Sequence, residues 1–471
     1  MPAKYHIHVH PVSPRFPAHG KSTVLDWGEG CIRCTHCVKE TCPYHVFEQR
    51  EFDKTSLTDT IDSLCKNCFR CVQGCPRELV VKTLSPQYES LGNEYWTPEI
   101  LLSTWYQAET GKIPVSGAGY GGPFAGDGFD GIWTDMSEIV RPTRDGIHGR
   151  EYISTAVDLG RHPFFLVFND KGDLAFEPAP LIEIPLPVLL GEPPFGAGKS
   201  KVLETSLAAT RTLNTLMVIS RDQITPELAQ SPAHLVPSYP AGALDLDDPL
   251  LQEVRLIEVL DGDGVVAQVD ALKRRFPRLV CAVRVPADSQ VATRTGELAT
   301  AGAEIIHLAA NVQGRGVGEA GEVYLKDLIR QTHLKLVELR LRDSVTLLAS
   351  GGIAMAEHVA KAIICGVDGV VVDLPLLIAL ECRICGQCLQ GGTCPVQMDQ
   401  VDPKKGSQRL VNLMGAWNNQ LLEVLGAMGL REVRRLRGEV GRAMFVEDLK
   451  NEIFAPLFAR AVNESDRREG E

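Results

Sequence analysis

The stretch VTLLASGGIAMAEHVAKAIICGVDGVVVD (345–373) decides the fold. A short apolar run, VTLLAS (345–350), ends in a double glycine. A helical stretch, AMAEHVAKAIICG (354–366), follows, and a second apolar run, GVVVD (369–373), closes the unit. Short continuous apolar runs fit strands buried on both faces, and a helix between two of them fits a crossover in a parallel sheet. The same alternation recurs toward the N-terminus. Its candidate strands are LPVLL (186–190), LMVIS (216–220), HLVPS (234–238), VRLIEVL (254–260), RLVCAVRV (278–285) and EIIHLA (304–309), with VVAQVDALKRRF (265–276) as a further helix. Eight strands with crossovers over roughly 200 residues predict an α/β fold, a (β/α)8 TIM-type barrel, whose chemistry sits at the C-terminal ends of its strands.

The chain has 471 residues, enough for several domains, and is 44% hydrophobic and 23% charged, which fits a globular protein. Its net charge of −12 argues against a protein built to bind nucleic acid or an anionic membrane. The most apolar segment, 369–382, is too short to span a membrane and contains Asp373, Pro375 and Glu381. The N-terminus lacks the apolar core of a secretory signal, so a cytoplasmic location is expected.

Twelve of the fourteen cysteines fall in three tight groups. Residues 31–43, CIRCTHCVKETCP, follow C-x2-C-x2-C-x4-C-P, and residues 65–76, CKNCFRCVQGCP, follow C-x2-C-x2-C-x3-C-P. Three thiolates at two-residue spacings wrap one cubane, while the fourth, before proline, turns away toward the other cluster. This is the two-cluster bacterial ferredoxin pattern, in an α+β module, although the first run has one residue more before its last Cys. Its assignment is crossed. Cys31, Cys34, Cys37 and Cys75 take one 4Fe–4S cluster; Cys65, Cys68, Cys71 and Cys42 take the other. Structural zinc, usually held by two separated pairs of ligands, fits these runs less well. Cys281 and Cys365 stand apart in apolar surroundings and read as packed, inert thiols.

Four other features carry weaker signals. In KYHIHVH (4–10), His6, His8 and His10 alternate with Ile7 and Val9, which predicts the solvated face of an edge strand ahead of a metal site. The seven glycines of 113–131 form no dinucleotide fingerprint and predict an irregular loop. PPFGAGKS (193–200) has Pro193 where a phosphate-binding loop needs its first glycine, so an ATPase is rejected. Arg141, Arg144, His148 and Arg150 are read equally as an anion site or as partners of nearby carboxylates.

IPVSG (113–117), GPF (122–124), GFD (128–130), WTDMSEIVRPTRDGIHGREYIS (133–154) and VDLGR (157–161) closely resemble the glutamate synthase family. The likeness is greatest to its short archaeal-type form, in which a ferredoxin-like module is fused to an FMN-binding barrel, and it continues more weakly to about residue 440. The resemblance implies FMN at the barrel mouth, with Ser350, Gly351, Gly352 and Ile353 near its phosphate and Arg284 where the family has a lysine near the flavin. It also implies three cysteines of CRICGQCLQGGTCP (382–395), namely Cys382, Cys388 and Cys394, around a third cluster. Cys385 is an addition, and four thiolates predict 4Fe–4S there. The chain departs from the family where Asp373, Leu374 and Pro375 replace a Gly-rich phosphate loop, in an altered first loop, GEPPFGAGKSK (191–201), and in lacking the substrate stretch and the glutaminase domain.

The expected organisation is a dicluster module (1–100), a Gly-rich linker (101–180), the barrel (181–380), the third cluster loop (381–400) and a helical tail (401–471) that covers the barrel or binds a partner. The expected function is an iron–sulfur oxidoreductase passing electrons through three clusters to FMN and on to an imine-type substrate. The alternative is a non-catalytic electron-transfer subunit with a degenerate barrel. Expected partners are redox proteins, ferredoxin or other electron-transfer subunits, in a hetero-oligomer.

Overall fold

The structure is a computed structural model, and it describes residues 5–17, 19–26, 30–50, 60–113, 126–134, 152–194 and 199–455. Eight parallel strands close into a barrel in chain order. They are β1 Val188–Gly191, β2 Met217–Ser220, β3 Leu235–Tyr239 and β4 Leu256–Leu260. They continue as β5 Val280–Pro286, β6 Ile305–Ala309, β7 Thr346–Ser350 and β8 Gly369–Val372. Every strand expected from the sequence is present. Pairing of Val370 with Val188 joins β8 to β1 and closes the ring. Pro237 lies within β3 in register with Ile219 of β2, and pairing with β4 begins only at Ser238.

Among the described residues the α-helices of six or more residues are α1 Pro98–Thr110, α2 Lys199–Leu213, α3 Val265–Arg275, α4 Val291–Thr300, α5 Leu325–Glu338, α6 Ala356–Cys365, α7 Leu374–Ala379 and α8 Pro403–Ala427. Helices α2 to α6 are barrel crossovers, whereas the β2–β3 and β3–β4 connections carry only short 3-10 turns. The tail helix α8 packs against α1, α2 and α6, so it covers the barrel wall. Its Asn412 side chain donates to the carbonyls of His10 at 2.7 Å and Ala108 at 3.0 Å, tying the N-terminal segment to α1.

The segment around His6, His8 and His10 corrects one expectation. The alternation is there, with the three histidines exposed and Ile7 and Val9 packed inward, but residues 5–10 form no strand. Their partner is the helix α8, where a Cβ on Gly415 would stand 2.5 Å from Val9. A helix offers no ladder of hydrogen bonds, so an extended segment packs on it without becoming a strand.

The N-terminal region has its own small core of Val46, Phe47, Cys71 and Val80. Antiparallel strands Ser22–Asp26 and Val80–Leu84 pair their ends across it. At the N-terminal end of the barrel, antiparallel strands Val157–Gly160 and Leu181–Ile184 lie against β7, where Thr346 Oγ1 donates to Gly160 O at 2.7 Å. Among the described residues no helix is long and apolar enough to cross a membrane.

Candidate functional site

The cysteine groups are gathered by the fold. Cys31, Cys34, Cys37 and Cys75 line one cavity. Cys42, Cys65, Cys68 and Cys71 line a second. Cys382, Cys385, Cys388 and Cys394 line a third, beside Leu377 of α7. None of them is in a disulfide.

The backbone repeats itself around all three. In the first run Arg33 and Thr35 have φ of 55° and 61°, in the second Asn67 and Phe69 have 56° and 58°, and in the third Ile384 and Gly386 have 53° and 70°. Three residues past each fourth cysteine, His45, Glu78 and Gln397 again have positive φ, at 58°, 54° and 46°. Left-handed backbone is uncommon at residues other than glycine and costs of order 1–3 kcal/mol each; it persists where the surroundings demand it, often at ligand clamps. Its recurrence beside corresponding cysteines marks one local structure built three times. Sequence spacing gave the cysteine groups but could not give this conformation, since Arg, Thr, Phe and Ile carry no signal for it.

Hydrogen-bond donors already face some of the sulfurs. Lys82 Nζ lies 2.9 Å from Cys65 Sγ, and the N–H of Leu79 lies 3.4 Å from Cys75 Sγ. Burial pushes the Cys37 thiol up to about 11 and the Cys382 thiol up to about 12. Among the described residues no three His, Cys, Asp or Glu side chains close on a single metal-ion position.

The barrel mouth holds the remaining expected site residues. Ser350 ends β7, and its carbonyl accepts from Ala310 N at 2.9 Å. Gly351 and Gly352 have φ of 99° and 66°. Both are needed for packing, because a Cβ would stand 2.5 Å from Asn311 O at the first and 2.3 Å from the Gly314 backbone at the second. Tyr95 Oη closes over the turn and donates to Gly352 O at 2.5 Å. Yet Gly352 and Ile353 are buried residues whose N–H groups make no hydrogen bond among the described residues. Buried orphan donors are rare, and two in succession after a barrel strand suit an anion. Arg284 lies near the end of β5, its side chain 41% exposed and 3.9 Å from Glu258, which leaves most of its donors open. Asp373 turns its carboxylate onto its own helix, accepting from Leu374 N at 2.6 Å. Burial pushes that carboxyl above the usual range, which favours the neutral acid and eases the repulsion a nearby phosphate would meet.

Deeper in the barrel lies a polar network that sequence reading missed. Glu258 of β4 accepts from Ser238 of β3 at 2.9 Å and from His307 Nδ1 of β6 at 2.6 Å. Burial raises the Glu258 carboxyl, but His307, Arg284 and Ser238 outweigh it and hold the group below its ordinary value. His307 Nε2 is buried without a partner among the described residues. The available signal was one ionisable residue inside each of the apolar strands LIEVL (256–260) and IIHLA (305–309).

The GFD motif braces the region after β7. Gly128 has φ of 62° against the Tyr324 ring, Phe129 is buried, and Asp130 Oδ1 lies 3.0 Å from His358 Nε2 on α6. Cys281 and Cys365 are buried, and burial pushes the Cys365 thiol up to about 12. Arg141, Arg144, His148 and Arg150, and most of the Gly-rich stretch, lie outside the described residues.

The chain is similar in sequence to known proteins. Residues 255–431 match the conserved region in glutamate synthase. The archaeal-type glutamate synthase [NADPH] of Dehalococcoides mccartyi is 25% identical, over 89% of this chain and 95% of its own. The archaeal glutamate synthase [NADPH] of Archaeoglobus fulgidus is 26% identical, over 90% of this chain and 94% of its own. Among solved structures, the flavin-binding domain of baker's yeast flavocytochrome b2 is a loose likeness, 13% identical with a TM-score of 0.45, over 78% of this chain and 83% of that one.

Proposed function

We propose that this chain, a relative of the archaeal-type glutamate synthases along nearly nine-tenths of its length, is an iron–sulfur flavoprotein oxidoreductase that passes electrons from three 4Fe–4S clusters to the mouth of its barrel. One observation carries the reading: the same left-handed turns recur around three quartets of unbridged cysteines, each quartet lining its own cavity. Thiolates spread around a cavity suit a polynuclear cluster better than a single zinc ion. Cys31, Cys34, Cys37 and Cys75 hold the first cluster, Cys65, Cys68, Cys71 and Cys42 the second, and Cys382, Cys385, Cys388 and Cys394 the third.

The mouth residues fit FMN. The unpaired N–H groups of Gly352 and Ile353 suit its phosphate, with α6 beginning nearby, and Arg284 supplies a cation beside the ring system. FMN, when bound, supplies the exchange between single electrons and a hydride. Arg284 offsets negative charge that develops at the mouth. Glu258 fixes the His307 ring, and Ser238 fixes Glu258. The substrate class that the relatives suggest is an imine formed from a 2-oxo acid and ammonia. Electrons reach the clusters from a redox partner protein, such as ferredoxin.

Flavin and iron measured on one anaerobically purified sample test this reading. About twelve iron and one FMN per chain are expected for three cubanes and a flavin. About twelve iron with no flavin, even after FMN is added back, would remove the flavin from the proposal. Iron well below that value would remove a cluster.

A further inference from the structure

The strands Val157–Gly160 and Leu181–Ile184 continue outward into an arm formed by residues 161–180. Its base is fixed. Arg161 donates to the carbonyls of Ala299 and Ala303 at 3.1 and 2.8 Å, and His162 N donates to Ser344 O at 2.8 Å. Its tip is fixed as well, because Asn169 Oδ1 accepts from the N–H groups of Lys171 and Asp173 at 2.9 and 3.0 Å. Between them Phe168 bridges Leu174, and Ala175 N donates to Val167 O at 2.8 Å, making a two-stranded ribbon.

Five consecutive apolar residues of the arm stand in solvent. Phe164, Phe165, Leu166, Val167 and Phe168 are 62%, 73%, 54%, 43% and 57% exposed, and Leu174, Phe176 and Leu181 face out beside them. Phe164 and Phe165 lie in a bend and Phe168 in the bridge to Leu174, and all of them face solvent; past the base, the arm reaches the barrel through Glu177, which accepts from Arg278 at 3.2 Å. An isolated two-stranded ribbon is marginal in water, and scattered exposed apolar residues are ordinary whereas a contiguous patch is not.

We propose that this arm docks against the arm region of a second copy of the chain, forming a two-fold dimer through the N-terminal side of the barrel. Area supports that occupant. The open apolar side chains amount to on the order of 700 Å², taking aromatic side chains at ~150–250 Å² each. One side of a standard interface buries ~800 Å². A two-fold interface sets the same patch against itself, so it must be self-complementary. An uncharged run from Phe164 to Phe168 meets that condition, where a charged patch would repel its copy. The net charge of −12, with Lys171 the single basic residue between His162 and Pro180, argues against an anionic lipid surface as the occupant. The arm leaves from the barrel end opposite the mouth, so dimerisation keeps the mouth open.

Sedimentation velocity on the full-length, anaerobically purified protein tests the proposal. The expected species has twice the 51.5 kDa mass of one chain. The double variant Phe165→Asp, Phe168→Asp is expected to sediment as a monomer, with the iron content and circular dichroism of the wild type. If it does not fold, p-benzoylphenylalanine in place of Phe165 decides the matter, since illumination should yield a chain-to-chain adduct mapped to the other copy's arm region. A wild-type monomer at tens of micromolar, a double variant that remains dimeric, or the absence of an arm-to-arm adduct would overturn the proposal. So would a monomer that floats with phosphatidylcholine–phosphatidylglycerol vesicles. Iron content serves here only as a check on folding, and the readout is mass and cross-linking, so the outcome stands apart from the proposed chemistry.

Discussion

His307 Nδ1 and Glu258 Oε2 meet at 2.6 Å inside the barrel, both side chains 2% exposed. A buried pair of this kind is expensive to break and cheap to replace. His307→Leu leaves the Glu258 carboxylate with Ser238 and a distant Arg284, and removing one partner of a buried pair typically costs about 3–5 kcal/mol. The double variant Glu258→Leu, His307→Leu removes the stranded charge with the ring, so it should recover most of that loss. Urea unfolding of the wild type, both single variants and the double variant measures the coupling. Additive losses would show that the two residues act independently.

The Asp130–His358 contact predicts the acid limb of stability. Burial raises the Asp130 carboxyl, but its hydrogen bond to His358 and the charges of His358 and Lys361 outweigh that and hold it below the usual range. The folded state therefore binds this proton less readily than the unfolded chain. The contribution is fully present above the unfolded carboxylate value of about 4 and is lost as pH falls through the lower folded value. Glu258 acts with the same sign. The melting temperature should fall on acidification below about pH 4, and Asp130→Asn should flatten that fall while lowering the plateau at neutral pH. An unchanged acid limb in the variant would remove Asp130 from the account.

What the sequence disclosed follows from how local each signal is. The barrel strands were legible because strands buried on both faces are continuous apolar runs, and the cysteine groups because cluster ligation fixes spacing. The double glycine was legible as a turn, but its partners, Gly314 and Tyr95, come from distant loops. His307 and Glu258 are 49 positions apart, and each alone is one polar residue in an apolar strand. The histidine segment had the right alternation, yet only the packed structure reveals that its partner is a helix.

Lys82 predicts a difference between the two N-terminal clusters of the proposed function. Its ammonium lies 2.9 Å from Cys65 Sγ, whereas Arg50 approaches Cys37 Sγ only to 3.8 Å. Positive charge and hydrogen bonds at a cluster's sulfurs stabilise the extra electron and raise the reduction potential. Lys82→Met should therefore lower the potential of the cluster assigned to Cys42, Cys65, Cys68 and Cys71, at unchanged iron content. A redox titration followed by electron paramagnetic resonance measures it. Equal potentials in the variant and wild type would show that the contact does not tune the cluster.

Cys385 distinguishes a four-thiolate third cluster from a three-thiolate one. It sits between Ile384 and Gly386, the two positive-φ residues that repeat the turns around Cys34 and Cys68. The second cysteine of each run therefore occupies the same local position, and in the proposed function each binds iron. Cys385→Ser should release about one iron of roughly twelve and leave a 3Fe–4S centre, seen as a new paramagnetic signal in the oxidised protein. Cys281→Ser is the matched control, because that thiol is 1% exposed within β5 and lines none of the three cysteine cavities. Its iron content should equal that of the wild type, even though a hydroxyl in an apolar site costs some stability. If Cys385→Ser kept its full iron and its original spectrum, Cys382, Cys388 and Cys394 alone would be the ligands, and the shared turn would be a feature of the chain without a role at the metal.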